Sequence, residues 1–100
     1  MTSRPKFQTP RYLKILSLLN ALYPIPVDIR DISRANNIPQ HKTIAYLTNL
    51  LEEGLVSRTK GDEGRYQYII TESGRQSYRR WIIEQRLKQL KGVVENGAVR

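Results

Sequence analysis

Two short segments in the second half of the chain, residues 55–60 and 65–70, are rich in β-branched and aromatic residues. Only the four residues 61–64, with the sequence GDEG, separate them. This pattern predicts two strands joined as a β-hairpin, because glycine supplies the backbone conformations that tight hairpin loops need. The apolar residues on either side of the hairpin follow helical spacing. We therefore expect a mostly helical α+β domain with one small antiparallel sheet.

Three helices are predicted before the hairpin, over residues 9–23, 28–36 and 40–53. Pro24 and Pro26 end the first helix, since proline cannot continue a helix interior. Asn36 and Asn37 suit a tight turn after the second, because asparagine tolerates the left-handed conformation. Gly54 is a natural C-cap for the third. The side chains expected to face inward are Leu13, Ile15, Leu16, Leu19 or Asn20, Leu22 and Tyr23, then Ile29, Ile32 and Ala35, and then Ile44, Leu47, Leu50 and Leu51.

A fourth helix is predicted from about residue 72 to residue 91 or further, with Thr71 as its N-cap. Tyr78, Trp81 and Ile82 have the spacing with which a helix closes the core of its own domain. The order helix, helix, helix, hairpin, helix, with a short turn between the second and third helices, is that of a winged helix-turn-helix domain. The expected fold class is therefore α+β, mostly α, with a β-hairpin wing and a long C-terminal helix.

The charge of the chain narrows the classes of partner. Seventeen lysines and arginines against nine acidic residues give a net charge of +8 at pH 7. Such an excess favours binding to polyanions, either nucleic acid or an anionic membrane surface. The excess lies in residues 1–23 and 71–91 and not in the predicted third helix.

The composition also excludes several classes of protein. The absence of cysteine excludes a disulfide scaffold, a thiolate zinc site and a cysteine nucleophile. The single histidine, His41, has no clustered acid beside it, so no metal site is expected. No glycine-rich phosphate loop or G-x-S-x-G motif occurs, so we expect no enzyme, no catalytic residue and no cofactor. No stretch approaches the roughly 20 apolar residues of a membrane span, which favours a soluble cytoplasmic protein.

Three segments of the chain resemble the winged-helix transcription regulators of prokaryotes, of the general MarR, PadR and ArsR type. Residues 29–38 are similar to the first helix and turn of the helix-turn-helix in that family. Residues 47–56 match the pattern L-x-x-L-x-x-x-G-L-[VI], and residues 68–74 match Y-x-[LI]-T-x-x-G. The resemblance implies a protein that binds duplex DNA and regulates transcription, most often as a dimer.

The N-terminal part of the second helix of a helix-turn-helix enters the major groove. The side chains expected to project there are Gln40, His41, Lys42, Tyr46 and Asn49. Glutamine and asparagine pair with adenine, and lysine pairs with guanine. Thr43 and Ile44 precede Leu47 by four and three positions, one fewer than in many relatives, which leaves the register of this helix open by one residue. An ordinary solvated polar helix face is the alternative interpretation.

Arg58, Lys60 and Arg65 flank the turn of the predicted wing. Basic side chains close to the turn of a wing are suited to hold DNA phosphates. Asp62 and Glu63 at the tip itself argue against deep insertion into the minor groove. A solvated hairpin without a partner is the alternative.

The last helix carries more apolar residues than one small domain can bury. Ile83, Leu87, Leu90 and Val94 repeat at the spacing of a coiled-coil seam. This stripe predicts a homodimer that meets two DNA half-sites about one helical turn apart, and a helix that folds back on the first helix is the alternative. The expected organisation is a flexible basic arm over residues 1–8, a winged helix-turn-helix domain over 9–71, a dimerisation helix over 72–92 and a tail over 93–100. Arg4, Lys6 and Arg11 are candidates to contact the DNA backbone from this arm, with an ordinary disordered terminus as the alternative.

The function expected from these features is that of a sequence-specific regulator that binds double-stranded DNA as a homodimer. A winged helix used as a protein-interaction or architectural module of a transcription or replication assembly is the alternative, because the predicted recognition helix is not itself basic. Such a module binds DNA without sequence preference. No membrane association and no small-molecule ligand are expected.

Overall fold

The fold is described by a computed structural model, which covers the backbone of residues 6–97 and the side chains of residues 7–90. Its elements are a 3-10 helix at Lys6–Gln8, α1 at Pro10–Leu22, β1 at Val27–Asp28, α2 at Ile29–Asn36, α3 at Gln40–Glu52, β2 at Val56–Lys60, β3 at Tyr66–Ile70 and α4 at Glu72–Gly97. The predicted mostly helical α+β class and the winged-helix order of elements are confirmed.

The three strands form one antiparallel sheet in the order β1, β3, β2. Val56 pairs with Ile70 in the hairpin, and Val27 of β1 pairs with Tyr68 on the other edge of β3. The strand β1 was not predicted, because two residues are too few to show an alternating pattern and prolines precede them. Its pairing matters for the site described below, since it attaches the start of α2 directly to the wing.

The core lies between α1, α2, α3 and one face of the hairpin. Its most deeply buried side chains are Ile15, Leu16, Leu19, Ile32, Thr43, Leu47, Leu50, Tyr68 and Ile70. Tyr78 and Trp81 of α4 pack against this core from outside, as their spacing predicts.

Four of the predicted inward-facing residues are exposed instead. Leu22 and Tyr23 are exposed because α1 ends there and the chain leaves the body of the domain. Ala35, near the end of α2, is also exposed. Ile44 is 46% exposed, whereas its neighbour Thr43 is fully buried. The threonine hydroxyl donates to the carbonyl of Pro39 at 3.1 Å, one turn earlier, so this polar side chain is buried without an unpaired donor.

The junction between the hairpin and α4 depends on Thr71 and Gly74. The Thr71 hydroxyl donates to the Gly54 carbonyl at 2.7 Å and accepts from the Gly74 backbone N–H at 2.9 Å, so the predicted cap of α4 is confirmed. Gly74 lies so close to the turn before β2 that an added Cβ would stand 2.0 Å from the carbonyl oxygen of Leu55. Gly74, the glycine of the pattern Y-x-[LI]-T-x-x-G, thus stands where the backbone of Leu55 leaves room for no side chain.

The helix α4 continues past residue 91 to Gly97, and so includes part of the predicted tail. Its first half packs along α1: Arg75 donates to Asn20 near one end of α1, and Gln8 donates to Glu84 near the other end. The side chains from residue 83 to residue 90 are all exposed. Among the residues described, no helix is long and apolar enough to cross a membrane.

We predict that Gly74→Ala destabilises the domain by about 3 kcal/mol, at the upper end of the usual cost of overpacking, because the methyl group meets backbone atoms that cannot rotate away. Urea unfolding followed by circular dichroism measures the effect. Gln76→Ala, at an exposed position of the same helix, is the control and is expected to change stability by less than about 0.5 kcal/mol. Equal stability of the two variants would contradict the contact role of Gly74.

Candidate nucleic-acid interface

The turn between α2 and α3 is built from local contacts. Asp28 caps the start of α2 by accepting from the Arg30 backbone N–H at 2.8 Å. Asn37 adopts the left-handed conformation at φ 55°, as the predicted turn requires. The buried Ser33 hydroxyl donates to the carbonyl of Ile38 and thereby fixes the chain at the start of α3. These contacts hold α2 and α3 in the relation of a helix-turn-helix.

The first half of α3 has an exposed face of mixed chemistry. Its members are Gln40, His41, Lys42, Ile44 and Ala45. The first turn of α3 contains no acidic residue, and its N-cap is Pro39, which has no side-chain acceptor. An approaching polyanion therefore meets no negative charge at this end of the helix. The face offers an amide, an imidazole, an ammonium group and two apolar side chains to a groove of DNA.

Tyr46 and Asn49, two of the predicted groove-facing residues, have partners inside the domain. The Asn49 side-chain amide donates to the Tyr12 hydroxyl at 2.7 Å. The rings of Tyr46 and Tyr12 meet edge to face with their centres 5.0 Å apart. Phe7 packs on the other side of Tyr12 in the same way, at 4.9 Å. These contacts arise because the second half of α3 turns this face towards α1.

Tyr12 was not singled out by the sequence analysis, although it joins three elements. The only signal in the sequence was an aromatic residue on the first turn of α1, which is common in helices of any role. The contact with Phe7 also shows that residues 6–8, the last part of the predicted flexible arm, form a short helix that is attached to α1. Arg4 lies outside the described residues.

The two arginines of the wing have different surroundings. Arg58 lies over the ring of Tyr66 at 4.2 Å and is exposed, with Lys60 at 6.0 Å from the same ring. Arg65 donates from Nε to Asp28 at 2.8 Å and from Nη1 to Glu63 at 2.5 Å. Arg65 therefore holds the base of the wing to the start of α2, while Arg58 and Lys60 stay accessible to a phosphate.

The Asp28–Arg65 contact also changes the titration of both groups. The hydrogen bond from Arg65, with a further one from the Arg30 backbone, lowers the pKa of Asp28. The same hydrogen bond, together with the one to Glu63, raises the pKa of Arg65. Both groups are therefore charged at neutral pH, and the pair is the electrostatic link between wing and helix-turn-helix.

The apolar stripe of α4 is exposed in the single chain. Ile83 is 51% exposed, and Leu87 and Leu90 are each 59% exposed. Val94, the last member of the predicted seam, lies outside the residues whose side chains are described. The three described members lie at successive turns of α4 and form an apolar ridge that no other side chain of residues 7–90 covers.

Comparison with known proteins places this geometry in a structural class. Neither protein-family models nor curated proteins give a significant match to the sequence. Solved structures do match, and the class they define is the winged helix-turn-helix of MarR-type transcription regulators, all at probability 1.00.

Three of these structures illustrate the match. MepR, a transcription regulator of the Staphylococcus aureus multidrug efflux pump MepA, has a TM-score of 0.72 and 21% identity over 84% of this chain and 64% of its own. A MarR-family transcriptional regulator from Silicibacter pomeroyi has a TM-score of 0.70 and 21% identity over 85% of this chain and 57% of its own. The transcriptional repressor CouR, bound to a 23-mer DNA duplex, has a TM-score of 0.68 and 26% identity over 91% of this chain and 68% of its own.

The present chain spans less than two thirds of MepR and of the Silicibacter protein. All three neighbours are described as regulators of transcription. The prediction that the chain is not an enzyme agrees with these neighbours. The predicted resemblance to MarR-type winged-helix proteins is confirmed for the fold.

We predict that Tyr12→Phe and Asn49→Ala each destabilise the domain by about 1 kcal/mol, the usual net value of one intramolecular hydrogen bond. Both substitutions remove the same hydrogen bond, so the double variant is expected to be less destabilised than the sum of the two. Urea unfolding of the four proteins measures this coupling. Strict additivity would show that the hydroxyl and the amide do not interact in solution.

We predict that the stabilisation from the Asp28–Arg65 pair disappears in acid. Because the pKa of Asp28 is lowered by folding, its contribution is present above the unfolded-state value of about 3.9 and is lost as the pH falls through the folded-state value. Asp28→Asn keeps a good helix cap, so the stability difference from the wild type reports on the ion pair. Unfolding at about pH 7 and about pH 3 measures the difference, which is expected to shrink in acid.

Asp31→Asn is the matched control, because Asp31 and Arg34 form an exposed contact at 3.8 Å in the same helix. Exposed pairs of this kind contribute little to stability. The control is expected to show a smaller dependence on pH than Asp28→Asn. A stability difference for Asp28→Asn that stays constant between the two pH values would refute the link.

Proposed function

We propose that the chain is a regulator of transcription that binds double-stranded DNA with sequence specificity and acts as a homodimer. The observation that carries this proposal is the exposed face in the first half of α3, which offers base-reading groups and no acidic residue. CouR, which shares the fold, was solved on a DNA duplex. A DNA-bound role also favours the cytoplasm and nucleoid as its location.

Gln40 and Lys42 are the best placed base-reading residues of this face. Glutamine pairs in a bidentate way with adenine, and lysine donates to the N7 and O6 atoms of guanine. Ile44 is added to the predicted set because it is exposed, and its methyl groups suit the methyl group of thymine. His41 and Ala45 complete the surface that enters the groove. Tyr46 and Asn49 orient α3 from inside the domain.

The wing is proposed to hold the DNA backbone. Arg58 and Lys60 lie on the same face of β2, beside the exposed Tyr66, and supply two positive charges to phosphates. Arg65 acts by holding the wing in place, since its guanidinium group already bonds two carboxylates.

Bound at a promoter, the dimer excludes other proteins from that DNA, or contacts polymerase there.

The dimer is proposed to form along the ridge of Ile83, Leu87 and Leu90. A two-fold axis at this ridge presents two copies of α3 to two half-sites, which lie about 34 Å apart when they are one helical turn apart.

The expectation that no small molecule binds the chain stays a prediction.

Selection of bound sequences from a random duplex library at about 0.15 M salt, the physiological range, is the direct test of the proposed function. An enriched palindrome is expected for a dimer that reads sequence. Salt-sensitive binding without enrichment would favour the second candidate, an architectural or protein-docking winged helix. That candidate is favoured by one observation, namely that Lys42 is the only lysine or arginine in α3.

We predict that Lys42→Ala reduces discrimination at one base pair of each half-site by about 1–3 kcal/mol. Arg58→Ala is expected to weaken binding to all sequences alike and to reduce the slope of affinity against salt. Competition binding with single-base variants of the selected site measures both effects. Equal weakening of binding to all sequences by Lys42→Ala would contradict its base-reading role. Arg79→Ala removes one positive charge at an exposed position of α4 and is the control for the loss of charge alone.

We predict that Leu87→Glu converts the protein to a monomer, because each protomer would place a carboxylate in an apolar seam. Sedimentation equilibrium measures the mass. Gln85→Glu introduces the same charge at an exposed position of α4 away from the ridge and is expected to stay dimeric. An unchanged mass for Leu87→Glu would remove the ridge from the proposed interface.

A further inference from the structure

Two concavities open on the surface around the turn between α2 and α3. The first, of about 230 Å³, is lined by Pro10, Arg11, Lys14, Asn36, Asn37 and Ile38. The second, of about 470 Å³, is lined by Ser33, Arg34, Asn37, Ile38 and Pro39. The two concavities share Asn37 and Ile38, so they meet at the turn that leads into α3. No acidic residue lines either of them.

The charges in the first concavity have no counter-ion in the described part of the chain. Arg11 and Lys14 lie three residues apart on α1, which places them on one face of that helix, and both are exposed. The helix α1 contains no acidic residue. Within residues 7–90, no carboxylate oxygen lies within 4.0 Å of either side chain. Arg34, in the neighbouring concavity, differs because Asp31 lies 3.8 Å away.

The position of this concavity relates it to DNA. The turn at Asn37 and Ile38 comes directly before α3, whose first half is proposed to enter the major groove. A helix with its side chains is about 10–12 Å in diameter and fills a groove of about 12 Å. Residues at the side of its N-terminal end therefore meet the sugar-phosphate backbone at the edge of the groove. A concave surface with two free cations at that place suits one phosphodiester.

We propose that Arg11 and Lys14, together with the turn at Asn36 and Asn37, form a second phosphate-binding site, separate from the contacts proposed for the wing. This inference rests on the proposed DNA-binding function and extends it. The site fixes the insertion of α3 from its N-terminal end, while Arg58 and Lys60 hold the backbone at the wing. Arg11 thus belongs to a site on α1.

The test uses the full-length protein and the duplex obtained by the selection described above. Single phosphates of one half-site are replaced in turn by uncharged methylphosphonates, and affinity is measured for each duplex. For the wild type, one phosphate at the edge of the groove contacted by the start of α3 is expected to be needed for full affinity. For Arg11→Ala/Lys14→Ala, replacement of that same phosphate is expected to have no further effect, because its partners are already gone.

The slope of log affinity against log salt gives an independent readout. The double variant is expected to have a slope smaller by about 0.9 for each phosphate that the protein no longer neutralises. Arg79→Ala/Arg80→Ala, on the exposed side of α4, lowers the net charge equally and is expected to keep the wild-type phosphate pattern. Arg11→Lys is expected to restore most of the affinity that Arg11→Ala removes, since the charge is restored.

The outcomes separate this inference from the function on which it rests. Specific binding by the wild type, with the same methylphosphonate pattern in Arg11→Ala/Lys14→Ala, would overturn the second phosphate site and leave the proposed function intact. Absence of any selected sequence, with equal loss of affinity in the α1 and α4 double variants, would overturn both, because a general charge effect would then explain all binding. Thermal unfolding of each variant verifies that these surface substitutions leave the fold unchanged.

Discussion

The rotation of α3 about its own axis determines what this domain can present to a partner, and the burial of Thr43, Leu47 and Leu50 sets that rotation. These three side chains lie on one stripe of α3 and are fully buried in the domain. With this stripe buried, Ile44 must point outward, one turn after Gln40. Thr43 can be buried in place of Ile44 because its hydroxyl donates a hydrogen bond to the carbonyl of Pro39. Ile44 is then left on the surface, where its apolar side chain is available to a partner, and the buried hydroxyl of Thr43 is not left unpaired.

A second constraint holds the wing at a fixed angle to α3. Asp28 belongs at once to a strand of the sheet, to the cap of α2 and to the ion pair with Arg65. One carboxylate therefore ties the base of the hairpin to the first helix of the helix-turn-helix. The ion pair adds to the pairing of β1 with β3, which already attaches the hairpin to the start of α2. The phosphate contacts proposed for the wing require a rigid relation to α3, the helix proposed to read bases.

Much of this architecture could be predicted from the sequence, because its helices are bounded by strong local signals. Proline and glycine stand at their ends, and the observed bounds of α1, α2 and α3 agree with the predicted ones to within a residue or two. The register of α3 could not be predicted. The stripe Thr43, Leu47, Leu50 and the stripe Ile44, Leu47, Leu51 both follow helical spacing, and composition favours the second. The choice of the first stripe depends on a hydrogen bond that only the folded turn provides.

The contacts of the site that escaped prediction all join residues far apart in the chain. Tyr12 acquires its role only when α1 and α3 are brought together, 37 positions apart in the chain, and the same separation divides Asp28 from Arg65. Arg65 is one of three basic residues around the turn of the wing. Its neighbours along the chain do not show that Arg65 is the one that pairs with carboxylates of this domain. Sequence patterns describe faces of single elements, whereas these contacts belong to pairs of elements.

Under the proposed function, the placement of charge explains how a helix with a single lysine can serve as the recognition helix. Affinity for DNA comes largely from contacts to phosphates, whereas base contacts supply the discrimination. The net charge of +8 is concentrated outside α3. Folding brings Arg11 and Lys14 of α1 beside the turn that begins α3, and Arg58 and Lys60 project from the wing. The helix proposed to read sequence is thereby free to carry glutamine, histidine, isoleucine and alanine, since the charges proposed to hold the backbone come from the elements around it.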